Sequence, residues 1–211
     1  MNKNEKFVIT INRELGRGGR TIGRKLAEKL GVQFFDKALL MALEEKYHLT
    51  AEEIENLKGR KQSWWEDFKK ITFSNDNYAP QLYQMKIGLS EKVSSYELFE
   101  EEEKILNHLA EQESCVVAGR TGFYMLRNHP NHMNILIQAS MPFRIERVMR
   151  KQYMTREEAR ETIDKIDKMR EYYVKQYTKT SRYDTRNYDL VITVDGKTED
   201  EIVDIILKFI G

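Results

Sequence analysis

The chain has little of what marks a secreted or membrane-bound protein. Its 211 residues include one cysteine, Cys115, so no internal disulfide can form and a reducing compartment is expected. No window approaches the apolar length that spans a bilayer, and the opening MNKNEKFVITIN has no apolar stretch long enough for a signal peptide. The cytoplasm is therefore the expected location. Net charge is only +1, which excludes a global basic field that would recruit nucleic acid or an anionic membrane. Any anion site must be built locally. The four histidines, His48, His108, His129 and His132, are scattered and suggest neither a metal site nor a catalytic triad. Cys115, inside an apolar run, reads as a small buried residue without reactivity.

What the chain does have is an ordinary globular composition, 40% hydrophobic and 33% charged, over a length that suits one domain with a sizeable insertion. Five short apolar runs, at residues 7–11, 32–35, 115–118, 134–139 and 190–194, read as strands buried on both faces. Helical patterns separate them. Ile22, Leu26, Ala27 and Leu30 line one face of a helix that stops at Gly31. Residues 97–113 form a second, with Leu98, Ile105, Leu106 and Leu109 inward and residues 100–103 as a solvated acidic face. Ser140 and Pro142 start a third, whose Ile145 and Val148 are expected to face the sheet. Thr155-x-x-Glu158 and Thr198-x-x-Glu201 are capping boxes that open two amphipathic helices. Strand and helix alternate as in a parallel α/β sheet with right-handed crossovers. Residues 46–96 break the rhythm and read as a mostly helical insertion, in which Trp64 and Trp65 pack locally.

The glycine stretch GRGGRT, residues 16–21, follows the first strand and opens the first helix. That junction offers backbone N–H groups and the positive end of a helix dipole to a phosphate. Gly16, Gly18 and Gly19 allow close approach, and Thr21 could bond an oxygen or a metal-bound water. A P-loop of the G-x-x-x-x-G-K-[ST] type carries a lysine where this chain has Gly19. Arg13, Arg17 and Arg20 flank the glycines instead, and arginine brings a planar, permanently charged fork. The same stretch also resembles G-x-G-x-x-G, with Asp36 where a dinucleotide-binding fold keeps its ribose-binding acid. The missing third glycine weighs against that reading.

Further along, VVAGR at 116–120, ILIQASMPFRIERVMR at 135–150, EEARETIDKIDKMREYYVKQY at 157–177 and NYDLVITV at 187–194 complete a pattern. With the opening ITINRELGRGGRTIGRKLAEKLG and VQFFDKALL, the chain resembles the cytidylate kinase-like branch of the nucleoside monophosphate kinases. That resemblance implies a P-loop kinase fold: a five-stranded parallel sheet flanked by helices, with a helical acceptor-side insertion at about 46–96 and a lid at about 150–170. The core is expected at 1–45 and 97–211, all one domain. ATP with Mg²⁺ is the implied donor, a nucleoside monophosphate the implied acceptor, and small nucleotides the implied partners.

Carried over by position, residues 16–21 (Gly16, Arg17, Gly18, Gly19, Arg20, Thr21) become the ATP phosphate loop. Asp36, Arg120, Asp167 and Arg170 fall on the acceptor side, and Arg144, Arg147 and Arg150 fall near the lid. No side chain is expected to ligate the metal directly, Thr21 reaching it through water. Arg13 and Arg20 are expected to supply the charge that the lysine would carry, and with Asp36, Arg120 and Arg170 they form the expected catalytic set. Arg170 also falls within a helical stripe of Ala159, Ile163, Ile166, Met169, Tyr173 and Tyr177, so it needs an anionic partner, for which Asp167 is the candidate. Arg144 and Arg147, read without the resemblance, are charges on a surface helix.

The chain departs from the pattern at three places. Gly19 replaces the lysine, Thr121 stands where an aspartate helps select cytosine, and Ile163 replaces a further phosphate-binding arginine. The expected activity is phosphoryl transfer from ATP to CMP or dCMP. The alternative is a catalytically weak nucleotide-binding or regulatory protein on the same fold, and a dinucleotide-binding oxidoreductase ranks below both.

Overall fold

The computed structural model describes residues 1–36, 95–119 and 121–211. Most of the expected insertion at 46–96, Trp64 and Trp65 with it, and also Arg120, lie outside the described residues.

The elements follow in the order β1 (Val8–Arg13), α1 (Gly19–Leu30), β2 (Gln33–Asp36), α2 (Ser95–Gln112), β3 (Cys115–Ala118), α3 (Gly122–Met125), β4 (His132–Gln138), α4 (Met141–Gln152), α5 (Arg156–Thr178), β5 (Leu190–Thr193) and α6 (Glu199–Ile210). All five strands pair in parallel in the order β2-β3-β1-β4-β5, with Ile9 beside Val116 on one side and Met133 on the other. This is the P-loop kinase arrangement. A dinucleotide-binding fold would seat β2 directly beside β1. Here β3 lies between them, which counts against the oxidoreductase reading.

The apolar runs are continuous because β1, β3 and β4 are covered on both faces. Ile9, Ile11, Val116, Ile135 and Ile137 pack with Ile22, Leu26, Ile202 and Ile206 of α1 and α6. Val8, Val117 and Phe35 pack on the other face with Phe99, Leu106 and Leu109 of α2 and Tyr177 of α5. Each such aliphatic side chain contributes roughly 1.5–3 kcal/mol on leaving water. Both capping boxes form as the sequence predicts, and Gly31 closes α1 at φ 67°.

Three expectations about helix faces are corrected. Ile145 and Val148 do not face the sheet but pack with Ala159 and Ile163, so α4 and α5 form a hairpin with its own small core around Leu15. The stripe of α5 is rotated: Met169 is 46% exposed, while the buried line runs Ala159, Ile163, Asp167, Val174, Tyr177. In α2 the acidic run is not wholly solvated, because Glu102 is buried and accepts a hydrogen bond from the Tyr173 hydroxyl.

Candidate phosphate-binding site

The carboxyl ends of β1, β2 and β3 meet the amino end of α1, and the glycine stretch spans that junction. Gly16 and Gly18 have φ of 86° and 70°, in the left-handed region where a side chain is strained. A Cβ at Gly16 would lie 2.9 Å from the Arg144 carbonyl oxygen, so the loop rests directly on the α4 backbone. No side chain caps the first turn of α1, whose N–H groups and dipole therefore face the loop.

Arg13, the last residue of β1, explains two further glycines. A Cβ at Gly19 would run into the Arg13 aliphatic stem, and one at Gly119 (φ 86°) would lie 2.6 Å from an Arg13 terminal nitrogen. The Arg13 side chain thus crosses from the glycine loop to the end of β3, filling the room that a side chain at position 19 would need. Its guanidinium is pushed down to about 10, first by burial and then by the like charge of Arg170, with Arg182 and Arg20 adding and Asp36 opposing. Arg20 pairs with Asp36, which is buried at the end of β2. The guanidiniums of Arg170, Arg182 and Arg20, from α5, the segment after α5 and α1, therefore all bear on Arg13, and Asp36 offsets them. Such a like-charge cluster is suited to a polyanion.

A second set of charges holds the loop from beneath. Arg17 is 2% exposed, and its guanidinium turns inward to the carbonyls of Ile137 and Ala139 and to Glu14. Burial first, and the Arg144 charge second, push it down to about 9. Arg144, far from being a surface charge, is buried. Its Nε donates to the Leu15 carbonyl at 2.8 Å, and a terminal nitrogen pairs with Asp167. The other Asp167 oxygen accepts from the Leu15 N–H at 3.3 Å. Asp167 thus pairs with Arg144, a partner that the helical stripe did not indicate. On the remaining side Arg147 and Glu199 form an ion pair over Gly18, and Asp195 accepts from the Ser140 N–H and hydroxyl.

Of the expected site residues, the fold assembles Arg13, Gly16, Gly18, Gly19, Arg20, Asp36 and Arg170 around one junction, with Thr21 half-buried in the first turn of α1. Arg17, Arg144 and Asp167 lie beneath the loop, Arg147 beside it, and Arg150 exposed at the end of α4. Ile163, in place of an arginine, is fully buried in the α4–α5 core. Thr121 holds a left-handed conformation at φ 57°, between Gly119 and α3. Among the described residues no cluster of three or more His, Cys, Asp or Glu side chains could hold a metal ion.

Sequence reasoning missed Glu14, Arg182 and the pair Asn12–Tyr188. Tyr188 accepts from the Asn12 amide and donates to the Arg182 carbonyl at 2.7 Å; burial pushes its hydroxyl up to about 12. Nothing local distinguishes Arg182 from Arg186. They lie in one turn-rich stretch, yet Arg182 is 1% exposed while the Arg186 side chain is 88% exposed and pairs with Asp184.

Residues 8–196 match the sequence model of the cytidylate kinase-like family. No curated protein matches the chain. Among solved structures, an uncharacterised protein from Eubacterium ventriosum is similar at TM-score 0.67 and 22% identity, with 98% of each chain covered. A shikimate kinase from Acinetobacter baumannii, solved with shikimate, is similar at TM-score 0.50 and 15% identity, covering 96% of this chain and 92% of that one. One from Bacteroides thetaiotaomicron gives TM-score 0.50 and 15% identity over 97% and 98% of the chains. At these identities the likeness speaks for the fold. No helix among the described residues is long and apolar enough to cross a membrane.

Proposed function

The chain belongs to the cytidylate kinase-like family, and from that premise we propose that it transfers a phosphoryl group from ATP to a nucleoside monophosphate, CMP or dCMP. The observation that supports this most directly is the gathering of Arg20, Arg170 and Arg182 about Arg13 beside the glycine loop, with Asp36 answering Arg13 and Arg20. Phosphoryl transfer asks the protein mainly for positioning and for charge neutralisation, and clustered guanidiniums provide both.

In this reading the loop from Gly16 to Gly19 and the amino end of α1 take the donor phosphates. Arg13 stands in for the missing lysine, since its side chain occupies the space beside Gly19. Asp36, Arg120 and Arg170 hold the acceptor, and Asp36 keeps Arg20 oriented meanwhile. Arg147, with Arg150, belongs to the lid side of the donor. Arg17, Arg144 and Asp167 act one step back, by fixing the loop's shape. Thr21 would hold a water of the ATP-bound Mg²⁺, which would supply charge neutralisation at the phosphates.

Gly19 supports one second reading, a protein that binds nucleotide and hardly turns it over. A single assay separates the two. Purified protein with ATP and Mg²⁺ is presented with a panel of nucleoside and deoxynucleoside monophosphates, beside an Arg13→Ala variant. Acceptor-dependent ADP formation, strongest with a cytidine nucleotide and reduced on the order of 100-fold in the variant, is the expected result. ATP binding by calorimetry without ADP formation would favour the second reading. Absence of both would remove the nucleotide reading.

A further inference from the structure

Arg182 is among the largest side chains that the fold buries completely, at 1% exposure. It is held from three directions. Its backbone N–H donates to Glu171 on α5 at 3.2 Å, its carbonyl accepts from the Tyr188 hydroxyl, and its guanidinium stacks over Tyr183 at 5.3 Å. One terminal nitrogen donates to the Arg13 carbonyl, where β1 passes into the glycine loop, and lies 3.5 Å from the Asn12 side-chain oxygen. Both acceptors are neutral, and Nε has no partner. The charge is felt by neighbours of the same sign: it lowers Arg13 and Arg17.

A neutral donor would hold the Arg13 carbonyl at a far smaller desolvation cost than a buried guanidinium. A full charge, buried against neutral acceptors and beside two cations, is explained when an anion answers it. The ligand side of this cluster is the glycine loop, which follows β1, the strand that ends at the residue whose carbonyl Arg182 holds. We propose that Arg182 is a positioning residue of the phosphate site: it fixes the end of β1 and the course of Arg13, and adds a permanent positive charge behind the loop that a bound polyphosphate neutralises. The proposal rests on the reading of this junction as a phosphate site. It assigns part of the missing lysine's charge to a segment outside the loop.

The test is calorimetric titration of the full chain with inorganic tripolyphosphate, without metal, at several salt concentrations. Arg182→Met should weaken binding about tenfold or more, the worth of one charge-assisted interaction. Its binding should also depend less on salt, because one charge has left the site. Arg182→Lys should recover most of the affinity. Arg182→Gln, which keeps an amide donor but no charge, should not. If Arg182→Met does not fold, the lysine and glutamine variants carry the same comparison. Equal affinity and equal salt dependence in Lys and Gln variants, or in Met and wild type, would leave Arg182 as a brace and overturn the proposal. Failure of the wild type to bind tripolyphosphate would instead overturn the phosphate-site reading, and this inference with it.

Discussion

Arg144 and Asp167 form an ion pair that grips both backbone polar groups of Leu15: the guanidinium takes the carbonyl and the carboxylate takes the N–H. Two helices of one hairpin thereby hold the entry to the glycine loop as a neighbouring strand would. The pair is buried, and Glu14 and Arg17 extend it to the end of β4. A loop that must present N–H groups to phosphates gains preorganisation from such a clamp, since the geometry need not form at the moment of binding.

Breaking that pair from one side is expected to be severe. Arg144→Ala leaves the buried Asp167 carboxylate without its cation, and Asp167→Ala leaves the Arg144 guanidinium to the longer contact with Glu14 at 3.7 Å. Each should lower stability by about 3–5 kcal/mol in denaturant unfolding, as loss of one partner of a buried pair does. The double variant should recover part of that loss, because no lone charge stays behind. Additive losses in the double variant would show that the two side chains act independently.

Restoring the consensus lysine is not expected to help. Gly19→Lys places a Cβ into the Arg13 stem, so Arg13 must leave its course between the loop and Gly119. Nucleotide affinity, measured by calorimetry, should fall, and any phosphoryl transfer should fall with it. Combining Gly19→Lys with Arg13→Ala or Arg13→Gly opens that space, and should bind better than Gly19→Lys alone. A gain from Gly19→Lys by itself would refute the assignment of the lysine's place to Arg13.

Cys115 should behave as an inert side chain. It lies at 1% exposure in β3, and burial pushes its thiol up to about 12. The reactive thiolate is therefore scarce at neutral pH. A thiol reagent at pH 8 should modify the native protein at the rate of global unfolding, and at once in denaturant. Rapid modification of the folded protein would place Cys115 in a locally opening region instead.

The sequence alone determined the five strands, every described helix but α3, the parallel sheet, both capping boxes and the position of the glycine loop. Those features are written in local periodicity, in short-range side-chain-to-backbone bonds, and in the torsional freedom of glycine. The resemblance carried by its motifs led to the family. Tertiary structure decided the use of each arginine. Arg144 and Arg147 lie one helical turn apart on α4 and read alike, yet one is buried against Asp167 and the other pairs with Glu199 beside Gly18. Arg182 and Arg186 share one turn-rich stretch, yet one is buried under β1 and the other lies in solvent. Arg17, inside the glycine stretch, turns away from it. A long charged side chain carries no local signature of its direction, since its energy depends on the carbonyls, carboxylates and like charges that distant segments bring to it. Here those segments are the end of β4, the α4–α5 hairpin and the stretch after α5, and only their packing at the carboxyl ends of the strands settles which charges support the loop and which face a ligand.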